Sequence, residues 1–573
     1  MDANRVGLGG PAGLSGSAGF GSLGSSGGPG GPGAPPAAGR RVPSPVLVGR
    51  AGELAWMHEA LARVRRHAPA TLLIGGEAGA GKSRLIGEIA ALAASSGAAS
   101  SGAGSPAGVS FASEAAAAGS ACVLSGACLE LGAVGLPFAP FTAILRELAG
   151  RLGAAGMAAL LSGGAGRELT RLLPECVGAA ESAVLDDPML ADPVLADPGP
   201  AWAAAADDPG RARSQLFGQM LSLLHRLAER GPVVLIIEDA QWADESSRAL
   251  LSFLVSQQPA LGGVLIIVTY RSDELHRGHP LSLLLARLGR FGWVQQTELH
   301  GLSRDESGEL IGRITGRRPE PSLIDAVYRR TEGNPLFVEE LLCCGGKRAK
   351  RNGRSPRSSP HAAGSLRDVV LAAVRRLPEP TQDALRAASV GGQQAGYPLL
   401  AAVTGMAPGA LAAALRPAVE HGVLVTGQDG CSFRHALIGE VIHADLLPAE
   451  HGALHHRFAA ALAADPSLVP AGRAAIEQAE HWYHAHDLAH ALHSAWLAAA
   501  EAGRALACSE QLAMLTRVLE LWPSVPGAER LTGTGHARVL EQAATVAEAL
   551  GDRQLATALT AAAQDEINTG RDA

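Results

Sequence analysis

The sequence predicts an α/β domain built on a parallel sheet, followed by a largely helical region. Short apolar runs at 71–76, 233–237 and 264–270 alternate with segments that have helical spacing. Strands covered on both faces of a parallel sheet have this composition. The strand signal fades after residue 300, and from residue 451 onward the pattern is helical and rich in alanine. The two halves of the chain therefore belong to different architectures.

Composition and pattern divide the chain into six regions. Residues 1–40 are mostly glycine, proline, serine and alanine, which cannot bury enough apolar surface to offset chain entropy. A β-hairpin is predicted around 427–430, and helices followed by a hairpin are typical of a winged helix. We expect a disordered tail (1–44), an α/β domain (45–300) with flexible insertions at 95–120 and 180–210, a helical lid (301–345), a basic linker (346–364), a winged-helix-like domain (365–450) and TPR-like helical repeats (451–573).

Composition also excludes several classes of protein. The 48 Lys and Arg residues against 55 Asp and Glu residues give a net charge of −7, so bulk charge does not argue for nucleic-acid binding. No run of about 18 apolar residues is present, so we expect no membrane-spanning helix and no membrane partner. Seven cysteines without a CxxC pair argue against a disulfide scaffold or zinc ribbon and indicate a cytoplasmic protein.

A phosphate-binding motif follows the first apolar run. The segment GEAGAGKS satisfies G-x-x-x-x-G-K-[ST], and its glycines let successive backbone N–H groups point inward as an anion nest. Lys82, one of only three lysines in the chain, would reach the β- and γ-phosphates, and Ser83 would bind Mg²⁺. The expected ligand is ATP or ADP with Mg²⁺. The predicted loop consists of Gly76, Glu77, Ala78, Gly79, Ala80, Gly81, Lys82 and Ser83. The predicted fold class of the first region is therefore an α/β P-loop NTPase domain.

Two further strands end in residues that suit phosphate chemistry. The second apolar run leads into Glu238 and Asp239, and the third leads to Arg271. A P-loop needs an acid at a neighbouring strand end to hold the Mg²⁺ shell and orient water. Glu238 is the candidate on the magnesium side and Asp239 the candidate that orients water, although these roles could be exchanged. Arg271 would reach the γ-phosphate and report its presence.

Eight motifs in one order resemble the signal-transduction ATPases with numerous domains (STAND). They are similar above all to the ATPase part of the large ATP-binding LuxR-type regulators, and the nucleotide module is similar to the Orc1-like AAA ATPase domain. The resemblance covers roughly residues 45–530. The motifs are LVGRAGEL (47–54), GEAGAGKSRL (76–85), GLPFAPF (135–141), RELTRLLPE (167–175), VVLIIEDAQWADESS (233–247), VTYRSDEL (268–275), GNPLFVEEL (333–341) and FRHALIGEVIHADLLP (433–448).

The resemblance implies a slow ATPase that acts as a switch in transcriptional regulation. ADP holds such proteins closed and inactive, whereas an inducer and exchange for ATP open them and allow self-assembly. Pro335 matches the proline near the base, and Arg434 or His435 matches the winged-helix position that senses the β-phosphate. The segment that lies over the adenine corresponds here to Val48, Gly49 and Arg50.

The same resemblance implies partners, and two alternative functions remain open. The implied partners are an unknown inducer or regulatory protein at the helical repeats and a nucleotide-dependent homo-oligomer. Residues 530–573 contain no helix-turn-helix stretch of the kind that ends such regulators. We therefore expect an incomplete repeat region and no DNA binding by this chain. The alternatives are a DNA-associated Orc1-like ATPase and a nucleotide-binding scaffold without significant turnover.

One group of histidines invites a metal interpretation. His481, His484, His486 and His490 lie close together in the sequence, with Trp482 and Tyr483 among them. No cysteine or carboxylate set completes a site there. We therefore expect these side chains to pack between repeat helices.

Overall fold

The structure is a computed structural model, and the residues that it describes belong to one compact unit. It describes residues 47–95, 121–130, 135–161, 168–173, 209–276, 278–342, 366–392, 394–427 and 429–571. The predicted tail, nearly all of the two predicted insertions and the predicted linker lie outside the described residues.

A five-stranded parallel sheet forms the centre of the α/β domain, as the sequence predicts. Its order is β2-β3-β4-β1-β5, and every neighbouring pair is parallel. The inner strands are apolar because helices cover both faces of the sheet. The strands are β1 (Ala70–Gly76), β2 (Cys122–Ala127), β3 (Val233–Glu238), β4 (Val264–Thr269) and β5 (Val294–Leu299).

The apolar-run criterion does not find strand β5. Its sequence is VQQTEL, and Gln295, Gln296 and Glu298 are exposed. An edge strand is covered on fewer sides than a central one, so it tolerates polar side chains. Because β5 pairs with β1 from Thr71 to Gly76, it nevertheless fixes the strand that leads into the P-loop.

Helices pack on both faces of this sheet. Met57, Leu61 and Val64 of α1 have helical spacing and are buried. The α/β domain contains α1 (Ala51–Arg65), α2 (Lys82–Ser95), α3 (Ala139–Leu161), α4 (Pro209–Ala228), α5 (Glu245–Ser256), α6 (Gln258–Leu261) and α7 (Pro280–Leu288). The region of the predicted lid contains α8 (Arg304–Thr315) and α9 (Pro321–Thr331), followed by a helical segment at 335–342.

A second, three-stranded antiparallel sheet lies in the winged-helix-like domain. The predicted hairpin around 427–430 is confirmed, because β7 and β8 flank it and pair directly. The strands are β6 (Gln394–Gly396), β7 (Leu424–Thr426) and β8 (Gly430–Phe433), in the order β6-β8-β7. The helices are α10 (Leu366–Val374), α11 (Glu379–Val390), α12 (Tyr397–Thr404), α13 (Pro408–Glu420) and α14 (Ala436–His443).

The remainder of the chain is helical, and successive helices pack in pairs. The boundary predicted at 450/451 lies inside the first of these helices. Phe458 and Leu462 of that helix join the core of the winged-helix-like domain, whereas Ala459 joins the core of the repeats. The helices are α15 (Pro448–Ala464), α16 (Ala474–His484), α17 (Leu488–Arg504), α18 (Cys508–Leu521), α19 (Ala528–Thr532), α20 (His536–Ala549) and α21 (Arg553–Arg571).

The helical repeats dock directly on the α/β domain. Leu506 and Ala507, between α17 and α18, are buried in the core beside the sheet. In return, Leu136 and Ala139 of the α/β domain are buried among the repeat helices. The two regions therefore share apolar surface that separation would expose.

The described helices were also compared with the dimensions of a membrane. None of them is individually long and apolar enough to cross a bilayer. Helices α12 and α13 reach the required length and composition only as a pair, and they meet at a bend of 103°.

Candidate functional site

A pocket lies at the carboxyl end of β1, where six separate segments of the chain meet. The P-loop contributes Ala78 through Arg84, and the neighbouring strands contribute Asp239 and Arg271. The other walls come from the segment before α1, from the lid and from the winged-helix-like domain. These walls are lined by Leu47, Val48, Arg50, Leu302, Leu310, Pro335, Leu336, Glu339, Arg434, His435, Ala436 and Leu437.

The P-loop has the backbone geometry that its sequence predicts. Gly76, Gly79 and Gly81 have φ values of 153°, 82° and 97°, a region that L side chains rarely adopt. A Cβ on Gly79 would lie 2.7 Å from Oδ1 of Asn334. Helix α2 begins immediately after the loop, so its N-terminal partial positive charge faces the pocket.

Lys82 lies under the loop, with its ammonium group turned to backbone oxygens. Nζ donates to the carbonyl oxygens of Gly76 at 2.5 Å and Glu77 at 2.9 Å. Burial lowers the pKa of Lys82, and the nearby charge of Asp239 opposes that shift. Ser83 is exposed and lines the pocket, whereas the Glu77 side chain is exposed and does not line it.

The segment predicted to lie over the adenine contacts the P-loop itself. Val48 is buried, and Gly49 and Arg50 both have left-handed backbone conformations. The Arg50 guanidinium donates to the carbonyl oxygens of Ala80 at 3.1 Å and His300 at 2.5 Å. This arginine therefore ties the segment before α1 to both the loop and the end of β5.

Pro335 lines the pocket, and the residue before it makes the more specific contact. Asn334 is buried, and its Nδ2 donates to the carbonyl oxygen of Ala78 at 2.8 Å. Its Oδ1 accepts from the backbone N–H of Leu336. The sequence analysis quoted Asn334 within its motif without assigning it a role. The feature of the sequence that could have indicated this role is a polar amide side chain placed between a glycine and a proline.

The two acidic candidates point to different places. Asp239 lines the pocket and has a left-handed backbone, and its N–H donates to Oγ1 of Thr269 at 3.2 Å. Glu238 is the last residue of β3, and its Oε1 accepts from the hydroxyl of Ser125 on β2 at 3.2 Å. Of this pair, only Asp239 is among the residues that line the pocket.

Arg271 lines the pocket and is held by two acids. Its guanidinium contacts Glu274 at 2.7 Å and Glu440 of helix α14 at 2.8 Å. It also lies 4.7 Å above the ring of Trp242. Burial opposes the charged form, but Glu440 and Glu274 outweigh it and raise the pKa of Arg271. The sequence analysis predicted Arg271 but not Glu440, which is 169 residues further along the chain.

His435 lies where the winged-helix-like domain meets the pocket. It is the N-cap residue of α14, yet its side chain makes no capping hydrogen bond to that helix. His435 and Arg434 both line the pocket, as do the first two residues of α14. His435 therefore does not cap α14 through its side chain.

These residues fit a magnesium-bound nucleotide. The positive φ values of Gly76, Gly79 and Gly81 are compatible with an anion nest of backbone N–H groups. The Ser83 hydroxyl and the Asp239 carboxylate both line the pocket, and Mg²⁺ prefers such hard oxygen ligands. Val48, Pro335 and Leu336 supply an apolar wall beside the loop.

The comparisons with known proteins agree with this geometry. The family model of the AAA ATPase domain matches residues 46–267. An uncharacterized protein of Rhizobium meliloti is 28% identical over 267 residues, which are 44% of this chain and 24% of that protein. The chain therefore spans about a quarter of the length of that relative.

The solved structures to which this chain is similar share little sequence with it. A STAND protein with a tetratricopeptide repeat sensor from Pyrococcus horikoshii is 16% identical, with a TM-score of 0.43 over 93% of this chain and 67% of that chain. The Orc1 protein of Aeropyrum pernix, solved in complex with DNA, is 14% identical, with a TM-score of 0.28 over 70% and 93% of the two chains. On the family match and the P-loop geometry, this chain contains an AAA ATPase domain over residues 46–267.

Proposed function

We propose that this chain is a nucleotide-dependent regulatory switch of the STAND type. ADP with Mg²⁺ favours a closed arrangement in which the start of α14 lies at the nucleotide pocket, and exchange for ATP opens it. Hydrolysis is slow and returns the protein to the closed state. This proposal is supported mainly by one helix, α14: residues at its start line the nucleotide pocket, and its Glu440 contacts Arg271 of the α/β domain.

Helix α14 supports the proposal because its contacts are made to the residues that would sense a nucleotide. His435, at its start, lines the pocket opposite the P-loop. Glu440, one and a half turns further on, contacts Arg271 at 2.8 Å. A γ-phosphate would compete with Glu440 for the Arg271 guanidinium, because both are anions. ATP would therefore weaken a contact that ADP leaves in place.

A second contact holds the repeats on the same domain. Glu510 of α18 is buried and accepts from the backbone N–H of Ser246 at 3.0 Å and from its hydroxyl at 2.5 Å. Ser246 lies in the first turn of α5, shortly after the acidic pair of β3. Through this contact, a ligand on the repeats could act on the domain that binds the nucleotide.

The chemistry assigned to the chain is positioning and charge stabilisation. The P-loop N–H groups and Lys82 bind the phosphates. Asp239, which lines the pocket, orients the attacking water, and we leave the metal-side role to either Asp239 or Glu238. Mg²⁺, when bound, neutralises charge on the transferred phosphoryl group.

The partners are proposed on the same basis. An inducer or regulatory protein binds the helical repeats, and the open form self-associates in the cytoplasm. The strand-and-turn segment 426–433 contains no lysine or arginine, so we do not assign DNA binding to this wing. An output on transcription would therefore pass through a DNA-binding partner or module.

The test is the size and protection of the full chain in two nucleotide states. The protein is stripped of nucleotide and loaded with Mg²⁺ and either ADP or a non-hydrolysable ATP analogue. Mass is measured by light scattering, and opening by proteolysis near Arg351. We expect a protected monomer with ADP and a larger or more readily cleaved form with the analogue. Lys82→Ala serves as the control that should not respond. Equal mass and equal protection in two nucleotide-bound states would overturn the switch.

A further inference from the structure

A second cluster of polar side chains lies at the opposite end of helix α14. His443 ends that helix, and His451 and His455 lie one turn apart on the same face of α15. One ring nitrogen from each of the three lies within 4.8 Å of the other two. The closest pair is Nε2 of His451 and Nε2 of His455, at 3.1 Å. Three imidazoles therefore converge where the winged-helix-like domain meets the first repeat helix.

A fourth histidine orients the innermost ring of this cluster. His481 of α16 is buried and stacks on Phe458 with 4.9 Å between ring centroids. Its Nδ1 lies 2.8 Å from Nδ1 of His455. When His455 donates from Nδ1 to His481, its Nε2 lone pair points into the cluster. Ligating histidines commonly have a partner of this kind on the second ring nitrogen.

Neutral imidazole is the form of histidine that binds metals. His484, at the rim, is engaged differently, because its Nε2 contacts Glu480 at 3.0 Å and Glu480 also binds Arg517.

We propose that His443, His451 and His455 form a binding site for a divalent transition ion of the Zn²⁺ class. Zinc–nitrogen bonds of about 2.0–2.1 Å in a tetrahedron place two nitrogens about 3.3 Å apart. The His451–His455 pair is already near that separation. The half-buried His443 and His451 can close the wider gap by rotating about their side-chain bonds.

The ligand set and its surroundings define what this site can do. Imidazole nitrogens favour zinc, copper and nickel over magnesium or calcium, which prefer oxygen. Three protein ligands leave one position of a tetrahedron for water or another ligand. Because the ligands come from α14 and α15, a bound ion would fix the angle between these two helices. The site is independent of the nucleotide proposal and can exist whether or not the chain is a switch.

The sequence analysis assigned the histidines at 481–490 to packing between repeat helices. His481 does pack in that way. The three proposed ligands were not recognised, because His443 is separated from the other two by a turn. The available signal was the spacing of His451 and His455, four residues apart in a predicted helix.

The experiment uses the full chain without a polyhistidine tag, treated with a chelator and then dialysed. Zn²⁺ is titrated by calorimetry, and the bound metal is counted after dialysis against a defined excess. Co²⁺ in place of Zn²⁺ reports four-coordination through its visible absorption. We expect one ion per chain and a higher melting temperature in the presence of Zn²⁺.

Variants at the half-buried ligands test the assignment without opening the core. His443→Ala and His451→Ala should each weaken Zn²⁺ binding at least tenfold and abolish the rise in melting temperature. The matched control is His456→Ala, an exposed histidine adjacent to His455 on the same helix, which should bind like the parent.

Several outcomes would overturn the site. One is a parent protein without stoichiometric binding, and this result does not depend on any variant folding. Another is undiminished binding by the His443→Ala, His451→Ala double variant. Equal weakening in His456→Ala would show that the effect is not specific to the three ligands, and would also reject the proposal.

Discussion

Two polar contacts between the α/β domain and the later regions have opposite electrostatics. At the nucleotide pocket, the Arg271 cation binds the carboxylates of Glu274 and Glu440. At the first turn of α5, the carboxyl groups of Asp244 and Glu510 are buried close together. The first contact combines unlike charges at the nucleotide pocket. The second places two acidic side chains in a buried interface.

The second contact is tolerated because the start of α5 supplies donors. Asp244 accepts from the backbone N–H groups of Ser247 at 2.8 Å and Phe138 at 3.2 Å, and it caps α5. Glu510 accepts from Ser246 in the same turn. Even so, burial and then the charge of Glu510 raise the pKa of Asp244 to about 7.

The difference indicates which input each contact can sense. An arginine remains charged at every physiological pH, so the first contact responds to a competing anion rather than to protons. The second contact contains a carboxyl group that titrates near neutrality, so it responds to pH. The winged-helix contact is therefore suited to reading the nucleotide, and the repeat contact to reading the local environment.

The largest effect is expected from a substitution that lies outside both contacts. Asp239→Asn should slow hydrolysis about 100-fold or more, because it removes the charge that orients water. Nucleotide affinity and the protected closed form should persist. Steady-state phosphate release and equilibrium binding of ADP give the two readouts. Glu238→Gln is the matched control, and both variants are titrated with Mg²⁺. If Glu238→Gln weakens magnesium-dependent binding and Asp239→Asn does not, Glu238 has the metal-side role. The reversed pattern exchanges the roles.

The next effect concerns binding of the nucleotide that the first contact is proposed to sense. Lys82→Ala should lower triphosphate affinity at least tenfold, about 1.4 kcal/mol. Lys82→Arg should also impair binding, because a planar guanidinium does not fit the space that the ammonium occupies under the loop. Calorimetry with Mg²⁺–ATP measures both. If Lys82→Arg binds and hydrolyses ATP like the parent, the importance given to this lysine is wrong.

A smaller effect concerns the pH dependence of stability, which we expect from the second contact and not from the first. The raised pKa of Asp244 means that the folded state holds a proton that the unfolded state has lost between about pH 4 and pH 7. Stability therefore falls as pH rises through that window and levels off above it. Glu510→Gln should reduce this fall by about 1–2 kcal/mol, because it removes the neighbouring charge.

Chemical denaturation of the parent and of Glu510→Gln at pH 5 and pH 8 measures this difference. Glu548→Gln, which changes an exposed acid on a repeat helix, is the control and should leave the pH dependence as it is in the parent. An identical pH dependence in Glu510→Gln and the parent would show that the two carboxyl groups are not coupled.

Features that depend on a continuous stretch of sequence were predictable. The P-loop, the strands that lead into it and the hairpin of the winged-helix-like domain each follow from local pattern. Glycines at fixed positions and apolar runs have the same consequence wherever they occur. Strand β5 was missed for the same reason, since an exposed edge leaves no apolar run to detect.

Features that depend on docking were not predictable from one sequence. Arg271 and Glu440 are 169 residues apart, and Asp244 and Glu510 are 266 residues apart. Nothing in the local pattern at Glu440 or Glu510 distinguishes it from other helical acids. Their partners follow only from how the winged-helix-like domain and the repeats lie on the α/β domain. The resemblance to STAND ATPases suggested His435 at this junction, but it did not suggest the acids.

The central claim is that α14 reads the nucleotide, and His435→Ala tests it most directly. A ring donor to the β-phosphate of ADP would contribute about 1.5–3 kcal/mol to the closed state. ADP and ATP affinities are measured by calorimetry in an Asp239→Asn background, with the exposed His421→Ala as control. We predict that His435→Ala weakens ADP roughly tenfold more than ATP and opens the protein without an inducer. An ADP-to-ATP preference equal to that of the control would contradict the account.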